Sequence, residues 1–294
     1  GAVALEFASL WNAAGCEVTL LIRKDRVLST WERRASMTLT RELKRRGVNV
    51  IARTAVDRVD TGANLGATVH YRQGDSDEDR TAYGEVVLAA IGRVPNTDAD
   101  WFRSSGLKLD ERGYVTVDGY GRTNLDGVWA LGDITPGHAL AHRAFEQGIT
   151  IAEKIAGADP KPVIDDTVPQ VVFSFPEAAS VGLTLDQAKA REDVVEPKET
   201  AYPMLSNARM LMSGEGGSMT VVSGAFANNP DMQVVLGVHI VSPIASDLIA
   251  EAEQLVGNRV PLADAARLIH PHPTFSETLG EALLKADGRP LHTR

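Results

Sequence analysis

Apolar and polar positions change period several times along the chain. Val3, Leu5, Phe7, Leu10 and Trp11 recur with helical spacing in GAVALEFASLWNAAG, which predicts an opening helix with one buried face. Val18 to Ile22 is a short apolar run between charges, the pattern of a buried parallel strand. A helix is predicted over 31–46, then short strands near 48–52, 55–60 and 66–72. The acidic stretch GDSDEDR (74–80) reads as a solvated hairpin tip, and EVVLAAIG (85–92) as another buried strand ending in glycine. These elements make an α/β unit of about 90 residues, the size of one domain.

Gly92 and Pro95 break the pattern in GRVPNTD. YVTVDG (114–119) alternates like a strand, and GVWALGD (127–133) reads as a buried strand ending in Gly-Asp. An amphipathic helix is predicted over 139–157, followed by a linker (158–169) with three prolines. The remainder reads as α+β. A strand begins in QVVFSFPE (170–177), and a hairpin spans 219–241 around Asn228, Asn229 and Pro230. Helices follow near 244–257, 261–268 and 276–286.

Composition narrows the partners. The 294 residues are 44% hydrophobic and 23% charged, ordinary for a globular chain. The net charge of −9 argues against nucleic acid or an anionic membrane, both of which reward a basic face. Cys16 is the single cysteine, so neither an internal disulfide nor a cysteine-based metal site is expected, and a reducing, cytoplasmic setting is. No apolar run nears the roughly 20 residues that span a bilayer. A helix that begins at residue 1 with no strand before it is expected to belong to a longer protein.

Four stretches carry candidate chemistry. In GAVALE, Gly1 and Ala4 fit the second and third positions of a G-x-G-x-x-G/A dinucleotide turn, where glycine lets the backbone approach a pyrophosphate. An ordinary surface helix fits the same residues. About 20 residues on, where an acid would take the ribose hydroxyl of NAD, stands Ile22, followed by Arg23 and Lys24. Two cations there suit the 2′-phosphate of NADP, or are a solvated charge run. Asp133 follows a predicted strand and can accept hydrogen bonds from polyol hydroxyls, with a helix starting near Ala139 to face an anionic ring; a plain turn is the alternative. Finally, IHPHPTFSE (269–277) sets His272 before a proline and five residues ahead of Glu277. A carboxylate on one ring nitrogen would leave the other to move protons. Surface histidines in a stiff loop, or an HxH metal pair with His270, are the other readings, and no third ligand supports the metal.

In this order the motifs resemble the pyridine nucleotide–disulfide oxidoreductases, nearest to the dihydrolipoamide dehydrogenase type. GAVALEF, AAIGRVPNT, WALGD, LAHRAFEQG, TVPQVVFSFPEAASVGLT, SPIASDLI and HPHPTFSE carry the resemblance across nearly the whole chain. It implies a Rossmann-like NAD(P)-binding domain (1–91), the closing segment of an FAD-binding α/β domain (92–163) and an α+β dimerisation domain (164–294). Gly1, Glu6, Val56 and Gly92 would line the nicotinamide nucleotide. Asp133 would hold the flavin's ribityl chain, with Ala139, Leu140, Ala141 and His142 beside the ring. His272, oriented by Glu277, would be the acid–base catalyst serving the disulfide of the other subunit of a homodimer. Lipoyl-bearing components of 2-oxoacid dehydrogenase complexes are the implied partners.

The chain departs from that pattern at Ile22, because lipoamide dehydrogenases usually carry the acid there. LLIRKDRVL is similar to the NADPH-binding strand end of glutathione reductases, so NADP stands beside NAD. LSNARMLMSGEGG resembles the quinone-reducing branch of the family. A flavin NAD(P)H:quinone reductase and an inactive nucleotide-binding, dimerising fragment are therefore the alternatives. The half of the FAD domain that carries the family's redox-active Cys-x4-Cys pair is not in these residues, and Cys16 matches neither cysteine.

Overall fold

Helix α1 (Ala2–Ala13) opens the chain, and strand β1 (Thr19–Ile22) pairs in parallel with β2 (Asn49–Ala52) across helix α2 (Arg33–Arg45). A computed structural model describes residues 1–62 and 66–293. The chain divides into two compact units, one of Gly1–Ile91 with the chain from Val171 onward, the other of Gly92–Gln170.

In the first unit α2 starts where the Glu32 carboxylate caps it. One oxygen accepts from Arg34 N at 2.6 Å, the other from Ala35 N at 2.7 Å. Ala35, Leu39, Glu42 and Leu43 form its buried stripe, and Lys44 and Arg45 end it where cations suit the helix dipole. Leu5 and Ala8 of α1 join that core, with Leu20 and Val50. The buried face of α1 is thus narrower than expected, because Val3, Phe7 and Leu10 stay exposed. An antiparallel meander follows: β3 (Thr54–Thr61), β4 (Ala67–Gln73) and β5 (Arg80–Gly84), with the acidic stretch 74–79 as the β4–β5 turn.

The predicted strand at 85–92 is absent. Val86 and Ile91 are exposed, and the parallel sheet holds only β1 and β2 among the described residues. An apolar run becomes a buried strand only where neighbouring strands cover it, and none does here.

Beyond it, β6 (Gln170–Val172), β7 (Glu177–Gly182), β8 (Val194–Tyr202), β9 (Ser218–Phe226) and β10 (Asn229–Ser242) build a five-stranded sheet in the order β6-β7-β10-β9-β8. The β9–β10 hairpin falls where Asn228, Asn229 and Pro230 predict it. Helices α7 (Ala245–Gly257) and α9 (Glu277–Ala286) seal the sheet over Met219, Val221, Ile240, Leu248, Leu279 and Leu283. Helix α8 (Leu262–Ala265) is shorter than the predicted 261–268. Two short helices, α5 (Leu185–Ala190) and α6 (Ala208–Ser213), flank β8 in sequence. Helix α2 packs against the sheet too, with Ser218 Oγ donating to Thr38 Oγ1 at 3.2 Å.

The second unit holds helices α3 (Asp100–Ser104) and α4 (Ala141–Ile155) around Phe102, Val115 and Ala130. Neither 114–119 nor 127–133 forms a strand; only the isolated bridges Leu109–Val115 and Arg122–Trp129 occur there. Local chemistry explains it. Asp110 Oδ1 accepts from the N–H groups of Arg112 and Tyr114, and Asp118 Oδ1 from those of Tyr120 and Arg122, each at 2.9 Å. Those side chains bind the donors that a ladder would use. No helix of the described residues is long and apolar enough to cross a membrane.

Candidate active site

Glu277 is the first residue of α9, where a helix favours negative charge. The preceding loop returns His272 to it, with Nδ1 at 2.8 Å from Glu277 Oε1. The other carboxylate oxygen accepts from Thr274 N at 2.8 Å. Burial would push the Glu277 carboxyl up, but the Thr274 N–H and then the His272 ring more than offset it and hold it below the ordinary value. A carboxylate only accepts, so the proton between the two groups sits on Nδ1, and Nε2 has no partner among the described residues. The His272 side chain is 73% exposed, open to a partner molecule. The His272–Pro273 bond is cis.

His270 has a different place. Its Nε2 lies 3.0 Å from Glu251 Oε1 on α7, and its side chain is 9% exposed. The ring packs on Gly280 of α9, where an added Cβ would come within 2.5 Å of Nδ1. The two histidines are thus committed to different carboxylates, and His270 is part-buried against α9. The Glu251 partnership was invisible in the pattern, because it spans 19 positions and two elements.

Gly1 is the N-cap of α1 and supplies no side-chain hydrogen bond there. The Glu6 carboxylate accepts from Phe173 N at 3.0 Å, which ties α1 to the chain after β6. Arg23 and Lys24 are exposed at the end of β1, and their side chains have no partner among the described residues. The nearest acid in sequence, Asp25, is taken by Arg26 at 3.1 Å. Lys24 O accepts from Arg53 N at 3.0 Å, so the β2–β3 corner that precedes the half-exposed Val56 lies beside the cationic turn. Arg53, at φ 56, was not singled out from sequence.

In the second unit, Gly92 takes φ 134, which glycine tolerates and other residues rarely adopt. Asp133 is exposed in a 3-10 turn (Gly132–Ile134), steadied by Gly132 N donating to Gln147 Oε1 at 2.9 Å. Its carboxylate has no partner among the described residues, so it is free to accept hydroxyls. Helix α4 begins at Ala141, two residues later than expected, with Leu140 as a cap that supplies no side-chain oxygen. The first N–H groups of α4, beside Ala139, Leu140 and Ala141, therefore remain available as donors. His142 Nε2 donates to Pro169 O at 2.7 Å, which anchors the helix start to the linker. Arg143, buried and missed in the sequence, donates to Asp165 Oδ1 and Pro136 O at 2.6 Å each. An uncapped helix start and an unpaired carboxylate fit an anionic ring with a polyol chain.

Comparison with known proteins shows the family. The model of the family described as pyridine nucleotide-disulphide oxidoreductase matches residues 1–148, and that of the family's dimerisation domain matches 168–283. Dihydrolipoyl dehydrogenase of Cupriavidus necator is 37% identical over 99% of the chain, and that of Geobacillus stearothermophilus 36% over 99%. The chain spans 60% of the length of each. Among solved structures, LpdA from Mycobacterium tuberculosis superposes with a TM-score of 0.84 at 29% identity, covering 97% of this chain and 60% of that one. The HOCl-induced flavoprotein disulfide reductase RclA from Escherichia coli shares the fold, with a TM-score of 0.82 at 23% identity over 96% of this chain and 62% of its own.

Proposed function

Because the chain belongs to the pyridine nucleotide-disulphide oxidoreductase family, we propose that it forms the nucleotide-binding and dimerising part of a dihydrolipoamide dehydrogenase-type flavoenzyme, with His272 as its acid–base group. The 2.8 Å contact between His272 Nδ1 and Glu277 Oε1 carries this reading. With Nδ1 held, Nε2 takes a proton from a dihydrolipoyl thiol and returns one when a disulfide is opened. Glu277 stabilises the ring while it is charged and keeps its plane fixed. The exposed ring and the family's dimerisation domain suit service to a disulfide on a second copy of the chain.

FAD, when bound, relays two electrons between that disulfide and the nicotinamide. Asp133 would hold its hydroxyls, and the start of α4 from Ala139 to His142 would face its ring. Gly1, Glu6, Val56 and Gly92 would line the nicotinamide nucleotide, and the unpaired Arg23 and Lys24 favour a 2′-phosphate, hence NADP beside NAD. The domains run 1–91, 92–163 and 164–294 in this reading, and the dimer works in the cytoplasm with lipoyl-bearing components of 2-oxoacid dehydrogenase complexes.

Lipoamide turnover by His272→Gln in the flavin-loaded enzyme tests the role. A loss of about 10²–10⁴-fold is expected of an acid–base group. An unchanged rate with lipoamide, together with brisk quinone reduction, would move the assignment to the quinone-reducing branch.

A further inference from the structure

Asn207 stands 67 positions before Thr274, yet its Nδ2 donates to Thr274 O at 3.0 Å. It is 5% exposed. Its Oδ1 accepts from Met210 N at 3.0 Å and so caps α6. On the other side of the same Cα, Thr274 N donates to Glu277 Oε2. The Thr274 hydroxyl closes the loop, donating to Pro271 O at 2.6 Å and lying 2.8 Å from Ser276 Oγ. A second residue of α6 leans on the loop as well, since the Arg209 guanidinium lies 5.5 Å from the centre of the Phe275 ring.

The geometry points to Asn207 as a positioning residue for the His272–Glu277 pair, acting through Thr274: its amide holds the backbone that holds the free oxygen of Glu277. This rests on the acid–base reading of His272. A carboxylate anchored at one oxygen turns about its side-chain torsions, and the ring it holds turns with it. Anchored at both, it has one orientation, and His272 Nδ1 then has one acceptor position. Capping α6 alone would not require this residue type, because serine or aspartate caps as well. What asparagine adds is a donor alongside the acceptor, and that donor is spent on the loop. The Asn207 side chain therefore joins two elements, and the joint lies directly behind the pair.

Asn207→Ser separates the two tasks, since a serine hydroxyl caps α6 but is too short to donate to Thr274 O. The complete enzyme that carries this chain is compared with its Asn207→Ser variant. We expect kcat with the disulfide substrate to fall about three- to tenfold, the worth of one neutral hydrogen bond, with KM for the nicotinamide nucleotide unchanged. The Glu277 carboxyl, followed by ¹³C NMR and assigned by the signal that disappears in Glu277→Gln, should titrate at higher pH in the variant. Wild-type kcat and wild-type Glu277 titration in Asn207→Ser, with His272→Gln slow, would reduce Asn207 to a helix cap and overturn the proposal. A fast His272→Gln would instead sink the acid–base reading, and the Glu277 titration alone would then decide whether Asn207 positions the carboxylate. Should Asn207→Ser fail to fold, Asn207→Asp, which also caps but cannot donate, is judged by the same readouts.

Discussion

His270 Nε2 and Glu251 Oε1 lie 3.0 Å apart across α7 and the loop before α9, so the first histidine of HPHP is already paired within the chain. The hydrogen bond that His270 Nε2 donates to Glu251 raises the His270 pKa above 6.5, and burial opposes it only in part. A raised folded value means that the protonated ring stabilises the fold. That contribution is full below pH 6.5 and is lost as pH rises through the folded value. Urea melts of wild type and Glu251→Gln at pH 5.5 and pH 9 check it. The stability gap between the two proteins should be wide at the lower pH and narrow at the higher. A gap that does not change with pH would remove the ion pair from the account.

His239 should behave with the opposite sign. It is fully enclosed in β10, where Nε2 lies 3.2 Å from Leu183 O and Nδ1 is 2.7 Å from Ser180 Oγ. Nε2 must donate to a carbonyl, so Nδ1 accepts from the serine. Burial lowers its pKa, chiefly because the charged ring would lose its solvent. Its contribution is therefore present above pH 6.5 and lost as pH falls through the depressed value. His239→Gln should flatten the stability profile below pH 6.5, whereas His270→Gln should change its slope only above pH 6.5. Ser180→Ala should cost about 1–3 kcal/mol at neutral pH, because it leaves a buried acceptor without its donor.

Gly280→Ala offers a sharper test of the His270 packing. In an exposed helix interior this change stabilises by roughly 0.5–1 kcal/mol. Here the new methyl group meets a ring that is 9% exposed and held by Glu251. We expect destabilisation of about 1–3 kcal/mol instead, as for overpacking. Adding His270→Ala should restore much of it, a coupling that a double-mutant cycle in urea reads directly. A stabilised single variant would show that the ring has room to move.

Several of these relationships could be read along the chain, and others could not. The helix predicted over 31–46 appears as α2, and Asn228 to Pro230 marked the β9–β10 hairpin. His272 and Glu277 were legible as a pair because a short loop entering a helix keeps them close. Residues 85–92 misled, since their apolar run says nothing about whether a neighbouring strand is present. The stretch 114–119 misled in the same direction for another reason: one carboxylate oxygen each of Asp110 and Asp118 was enough to bend a run that alternates like a strand. Glu251 with His270 and Asn207 with Thr274 were hidden because folding alone brings such distant positions together.

The proposed nicotinamide preference is tested at the end of β1. Arg23 and Lys24 have no side-chain partner among the described residues, and the backbone of Arg53 is bound to Lys24 O. An incoming 2′-phosphate would meet cations that need not leave another protein group to bind it, and a guanidinium can fork onto two of its oxygens. NADH brings only a hydroxyl to the same place, and Ile22 supplies no acid to accept from it. Arg23→Ala with Lys24→Ala should therefore weaken NADPH by roughly 1.5–3 kcal/mol for each charge-assisted hydrogen bond removed and leave NADH nearly unchanged. If the proposed 2′-phosphate site holds, raising the salt should weaken NADPH more than NADH, because exposed charges are screened over about 10 Å at 0.1 M. Titration calorimetry with both nucleotides at two ionic strengths measures each effect. Equal losses for NADPH and NADH would mean that the cations serve the shared pyrophosphate, and the preference for a 2′-phosphate would fall.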